Sequence, residues 1–225
     1  MKQRILEEQL TIRKKVYHYI REKILTGAIA PNERLVETKI AGEIGTSRTP
    51  IREALHNLEI EKLVKSIPRV GYVVESMSAE DLEQICELRE AIEVLAARRA
   101  LERSHKRLAK ELAANVTRQE QAIAAKNLNV YIDLDTKFHE TIARLSGSDR
   151  VYELVQTLRR HMLRYSMYAT RFVETALHSM EGHKTILRAI EKGDVDVLAQ
   201  AIRDHLDKAR NDIVHSVFST EYEND

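Results

Sequence analysis

Four side chains of this sequence have the types and spacing to hold a metal ion. Asp135 and His139 lie four residues apart, beside Phe138 and Ile142, so a helix over this stretch presents both on one face. His183 heads an apolar stripe with Ile186, Leu187 and Ile190, and His205 shares one with Leu198, Ile202 and Ala209. One carboxylate and three imidazoles turned inward from three helices make a nitrogen-and-oxygen donor set suited to a divalent transition metal. Stripes alone do not bring the four together. An inward His is commonly a satisfied core residue, and His161 and His178 are alternative donors. Arg89 lies on the stripe Leu82, Ile85, Cys86, Ile92 and Ala96. Its guanidinium reads either as the partner of a buried acid such as Glu93 or as a planar fork for the carboxylate of a ligand.

A second constellation is Thr46-Ser47-Arg48-Thr49-Pro50-Ile51-Arg52-Glu53-Ala54-Leu55. Ser47 or Thr49 serves as N-cap, Pro50 fits the first helical turn, and Glu53 is placed as a capping acid. Ile51, Leu55, Leu58 and Ile60 are expected to face inward. Arg48, Thr49 and Arg52 then cluster at the exposed amino end of the helix. Two Arg and two hydroxyls there suit phosphate contact, and Arg also reads guanine edges.

The elements that must position these groups are mostly helical. The chain has 225 residues, with only three Pro and seven Gly to interrupt helices, and 43% hydrophobic content supports one or two domains with a core. A helix is predicted over 10–25, ended by Gly27. A turn at Pro31 and a short helix over 37–44, closed by Gly45, come next. With the Arg-bearing helix this makes a helix-turn-helix. Leu63 to Ser66 and Gly71 to Val74 then form a hairpin, or wing, with Arg69 near its tip. A boundary falls near residue 77, giving domains 1–76 and 77–225. Beyond it, helices over 78–103, 105–125, 128–145, 148–172, 175–192 and 194–217 make an antiparallel bundle of about six. Residues 1–76 carry 14 Lys and Arg against 10 acids and the remainder 22 against 25, so basic character concentrates in the first part. The single Cys86 leaves no internal disulfide, and no apolar run approaches the roughly 20 residues that span a bilayer. A cytoplasmic protein without membrane contact is expected.

Residues 9–75 resemble the winged helix-turn-helix of the GntR transcription regulators. The matching residues are Ile24-Leu25-Thr26-Gly27, Pro31-Asn32-Glu33-Arg34-Leu35, Ser47 to Leu55, Leu58-Glu59 and Arg69-Val70-Gly71. Asn32 and Lys62 stand where that family usually has Gly. The resemblance implies DNA contact by Arg34, Ser47, Arg48, Thr49 and Arg52, with the wing around Arg69 and Gly71 in or near the minor groove. Residues 78–217 are similar to the helical FCD domain of the FadR-like branch. Here the matches are Leu88-Arg89-Glu90, Glu93, Ala96-Ala97, Asp135-x-x-Phe138-His139, Ser146-Gly147, His183-x-x-Ile186-Leu187 and His205-Leu206, with Ser148 in place of the usual Asn. By that resemblance Asp135, His139, His183 and His205 bind a divalent metal such as zinc, nickel or manganese. Arg89 clamps a small organic or sugar acid. The expected function is transcription regulation, more often repression, by a homodimer on a palindromic operator. A metal-sensing regulator is one rival. A metalloenzyme is another, disfavoured because no obvious general base accompanies the four ligands.

Overall fold

The computed structural model describes the backbone of residues 2–25, 28–76, 78–170 and 173–218, with side chains from residue 12 onward except 164, 167 and 168. Gly27, expected to end the first helix, lies outside the described residues. The chain divides into two compact units, Met1–Met77 and Ser78–Asp225.

In the first unit, α1 (Lys2–Leu25) begins earlier than the apolar stripe predicts, since no Gly or Pro interrupts residues 2–9. It is followed by β1 (Arg34–Leu35), α2 (Glu37–Ile44), α3 (Arg48–Ile60), β2 (Val64–Ile67) and β3 (Gly71–Val74). The strands form one antiparallel sheet in the order β1-β3-β2, with Arg34 opposite Val73 and Lys65 opposite Val73 on the other side. α1 packs against α3, and Val16 and Ile20 of the first and Ile51, Ala54, Leu55 and Leu58 of the second are fully buried. Gly45 ends α2 in a left-handed conformation, φ 73°, and its N–H returns to the Ala41 carbonyl.

Two local expectations are corrected here. Ile60 is 53% exposed, because two residues beyond the buried Leu58 a helix has turned to its opposite face. Ser47, not Thr49, is the N-cap of α3, and it makes no side-chain cap bond. Glu53 is therefore too far along the helix to close a capping box, and it lies 3.8 Å from Arg13 of α1 instead.

The second unit contains α4 (Ala79–Ala124), α5 (Leu128–Leu145), α6 (Asp149–Ala169), α7 (Val173–Lys192) and α8 (Val195–Phe218). The helical run of α4 is bent at Ser104, which has non-helical angles of φ −144° and ψ 28°. The break expected at Ser104 is therefore present, as a kink between two helical segments. Ser78 caps α4 by accepting from the Asp81 N–H at 3.0 Å, and Ser148 caps α6. The hydroxyl of the buried Tyr165 on α6 donates to the Ser78 carbonyl, which fixes the start of α4 to α6. A continuous apolar core joins all five helices, with Val151 and Val155 from α6, and the polar side chains described next lie beside it.

Candidate metal centre and nucleic-acid interface

His139 of α5, His183 of α7 and His205 of α8 converge on one point in the bundle. All three are buried, and one donor nitrogen from each lies within 4.8 Å of the others. His139 Nε2 stands 3.3 Å from His183 Nε2 and 3.4 Å from His205 Nε2. Their outer nitrogens are committed elsewhere. His139 Nδ1 donates to Glu93 Oε2 at 2.6 Å, and His183 Nδ1 donates to Gln119 Oε1 at 2.8 Å. Those bonds fix both tautomers with Nε2 unprotonated, so two lone pairs face one another in an apolar interior. A cation between them removes that repulsion. Nitrogens bound about 2.0–2.1 Å from a tetrahedral ion stand roughly 3.3–3.4 Å apart, so the two separations from His139 match those of a transition-metal site.

Asp135 reaches this cluster by a single edge. Its Oδ1 lies 3.5 Å from His183 Nε2 and accepts from Ser179 Oγ at 3.2 Å. Its Oδ2 accepts from Arg159 Nη2. Among the described residues, the group in which every donor lies within 4.8 Å of the rest consists of the three His. His161 and His178 stand outside it, and His178 is half-exposed, 3.5 Å from Asp212. Arg89 is buried with its Nε 2.8 Å from Glu93 Oε1, so it is paired with the acid named in the sequence reading. It also lines a cavity with Asp135, Arg159 and His205, whose remaining wall is largely apolar. The free volume of this cavity is about 40 Å³, room for a few water-sized groups.

In the first unit, Ser47, Arg48, Thr49 and Arg52 are exposed at the start of α3, as are Arg34, Arg69 and Gly71. Arg34, Arg52 and Arg69 line one cleft between β1, α3 and the wing turn. Arg52 donates through Nε and Nη2 to Glu37, at 3.1 and 2.9 Å. That bond, with the nearby positive charge, lowers the Glu37 carboxyl from its ordinary value.

Comparison with known proteins places this arrangement. The FCD domain family matches residues 84–208, and the family described as "Bacterial regulatory proteins, gntR family" matches residues 12–74. The chain belongs to the GntR family. A regulator from an unstable DNA locus of Streptomyces ambofaciens is 30% identical over 205 residues, covering 90% of this chain and 85% of that one. The transcriptional repressor RspR of Escherichia coli is 26% identical, covering 87% and 86%. The gluconate operon repressor of Bacillus subtilis is 24% identical, covering 88% and 84%. The Escherichia coli McbR/YncC structure shares the fold with a TM-score of 0.69 at 21% identity, covering 95% of this chain and 98% of that one. This GntR protein is accordingly a transcriptional regulator, like the relatives named, and its fold is a winged helix-turn-helix joined to a helical domain.

Several residues of the centre escaped the sequence reading. Gln119, Arg159 and Ser179 hold His183 or Asp135 in place, and Gly182 makes room for His205. A Cβ on Gly182 would stand 2.4 Å from His205 Nδ1. Gln119 and Arg159 each sit on an apolar helical stripe, the signal that singled out Arg89. Gly182 is silent in sequence because its role is the space it leaves.

The electrostatics of this GntR regulator follow from burial. Burial, then the neighbouring His139, push the His205 imidazole down to about 3. Burial and the nearby His205 hold His183 well below its ordinary range, and burial lowers His139 against the opposing pull of Glu93. For Glu93 burial is the largest influence and acts upward, but Arg89 and His139 outweigh it and hold the carboxyl below its usual range. Asp135 is likewise lowered, with Arg159 and His183 outweighing burial.

These depressed imidazoles set a stability dependence for metal-free protein. In the unfolded chain each His takes up a proton below its ordinary value of 6.5, whereas the folded site stays neutral, His205 down to about 3. The unfolded state therefore binds more protons in that window, and stability falls as pH drops through it. Chelator-treated protein is expected to melt at a clearly lower temperature at about pH 5 than at about pH 7. The slope approaches on the order of 1.4 kcal/mol per pH unit for each neutral buried imidazole. Equal melting temperatures would mean that the imidazoles are already charged in the fold. Gly182→Ala is expected to destabilise by about 1–3 kcal/mol, since α7 and α8 must separate or His205 must turn away. Urea titration measures it, and a wild-type midpoint would contradict the close approach.

Proposed function

We propose that this regulator is a homodimer that binds a palindromic operator through residues 1–76 and is controlled by a small carboxylic acid held in residues 77–225. In this reading Asp135, His139, His183 and His205 hold a divalent ion, zinc, nickel or manganese, and Arg89 clamps the acid. The observation that carries it is the pair of tautomer-fixed imidazoles whose bare Nε2 atoms face each other beside a cavity bearing a buried Arg. The ion supplies positive charge and open coordination positions for an acid's oxygens. Arg89 and Glu93 supply orientation. The cytoplasm is the compartment for such a protein.

The DNA face is assigned by charge and exposure. Arg48 and Arg52 lie at the amino end of α3, which a helix-turn-helix places in the major groove, with Ser47 and Thr49 on phosphates. Arg34, Arg69 and Gly71 border the cleft beside the wing and face the backbone or minor groove. Two-fold operators match two-fold proteins, which is the reason for the dimer. Repression is the sign favoured by the relatives named repressors, RspR and the gluconate operon repressor among them.

Two experiments test this. The operator is first selected from a random DNA pool by the wild-type protein. Arg48→Ala and Arg52→Ala are each expected to weaken its binding by about 1–3 kcal/mol, as loss of a bidentate base contact does. Arg34→Ala should weaken specific and non-specific DNA alike and flatten the salt dependence. Wild-type affinity in both α3 variants would overturn the docking. Arg89→Lys keeps a positive charge beside Glu93 and removes the planar fork. It is expected to bind metal and operator normally, and to need roughly tenfold more acid to shift operator affinity. The panel is malonate, succinate, citrate and gluconate, and an unchanged response would remove Arg89 from the clamp.

A further inference from the structure

Two of the described side chains that line the cavity, Tyr131 and Arg159, carry a buried polar atom with no hydrogen-bond partner, and of these the charged one is Arg159. It projects from α6, is 7% exposed and lines the cavity with Arg89, Asp135 and His205. Nη2 donates to Asp135 Oδ2 and, at 3.3 Å, to Thr136 Oγ1. Nε is buried and has no hydrogen-bond partner. A buried unpaired N–H is costly enough that few persist, so this donor points to an absent acceptor. Nε–H and the adjacent Nη2–H form the side edge of a guanidinium, which donates to both oxygens of one carboxylate. Asp135 uses only half of that edge, because its other oxygen is turned toward Ser179 and His183.

We propose that the Nε–Nη2 edge of Arg159 is a second carboxylate receptor, and that a small acid binding there takes the place of Asp135 on Nη2. This rests on the acid-sensing reading of the same cavity. Asp135 then has only its second face, the one beside His183, on which to stay compensated. A buried carboxylate stripped of its Arg is unfavourable unless another positive charge meets it. Acid is therefore accepted readily only when a cation is held beside the three imidazoles. By reciprocity the acid tightens cation binding by the same factor. Arg89, paired with Glu93 on the opposite arm, does not make this exchange, since its carboxylate bridges to His139 rather than to the edge of the donor set.

The test measures zinc affinity by competition with a chelating dye, with and without the acid of the panel above that most stabilises zinc-loaded wild-type protein. Wild type is expected to bind zinc several-fold more tightly in saturating acid, and the acid more tightly in zinc. Arg159→Lys keeps the charge next to Asp135 but has no fork. With its own acid-free zinc affinity as the reference, it should bind the acid about tenfold or more weakly and lose the mutual enhancement. Arg159→Gln, checked for a cooperative melt, frees Asp135 and should hold zinc at least as tightly without acid, again with no enhancement. A merely structural Arg159 would instead lose zinc binding and thermal stability together in that variant. Wild-type acid affinity in Arg159→Lys, or acid that leaves wild-type zinc affinity unchanged, overturns this inference alone. Wild-type protein that takes up no zinc overturns the metal reading and this inference with it.

Discussion

The bundle is organised around one buried carboxylate. Glu93 accepts from Arg89 Nε on one oxygen, at 2.8 Å, and from His139 Nδ1 on the other, at 2.6 Å. An ion in this interior is tolerable only with both oxygens engaged, because the loss of hydration on burial is several kcal/mol per charge. The engagement has consequences in two directions. Toward the core it fixes which nitrogen of His139 carries the proton, and so presents a bare Nε2 to His183 and His205. Toward the cavity it holds a guanidinium in place that would otherwise have no anionic partner within the helix. A neutral residue at 93 would leave both neighbours misdirected.

Asp135 repeats that pattern on the far side of the imidazoles. It leans on a buried Arg with one oxygen and on the donor set with the other, through Ser179 and His183. The two arms differ in what the carboxylate touches: Glu93 meets the back of a ring, Asp135 the front. A second-layer acid tunes and orients a ligand, while an acid at the front can itself become one. The geometry thus separates the buried Glu93 and the slightly more open Asp135 into an orienting role and a candidate ligand role. It does so without reference to their titration, which is lowered for both by the same kind of neighbour.

The amino-terminal unit solves a different problem, that of bringing cations to one surface. Asn32 and Lys62 adopt φ 64° and 60°, the left-handed region that Gly fills most easily. Asn tolerates it through local hydrogen bonding, whereas for Lys62 the strain is of order 1–2 kcal/mol. The turn after α3 is tight all the same, for the N–H of Leu63 reaches the Leu58 carbonyl at 2.9 Å and starts β2 on its register. Glu37 holds the Arg52 fork against α2 through two bonds, at 3.1 and 2.9 Å, so this exposed cation has a fixed place on the surface.

Much of this was legible because helices write their faces into sequence. Apolar residues at three and four spacing located α2, α3 and the bundle helices, and polar residues caught on those stripes marked Arg89, His139, His183 and His205. Where the reading failed, the cause was geometric. Ile60 follows Leu58 by two residues, a step that periodicity assigns to the opposite face, and the capping role given to Glu53 ignored its distance from Ser47. Arg159 and Gln119 carry the same mark as Arg89, being buried polar residues between Val155 and Met162 and between Val116 and Ala122. They were passed over because Arg and Gln on a helix are usually solvated. Asp135 shows the limit of the approach. Its spacing to His139 puts both on one face, yet only three-dimensional packing decides that Arg159, from another helix, claims one of its oxygens. A stripe names the residues that point inward, and the partners they find there are set by helices whose approach no single stripe encodes.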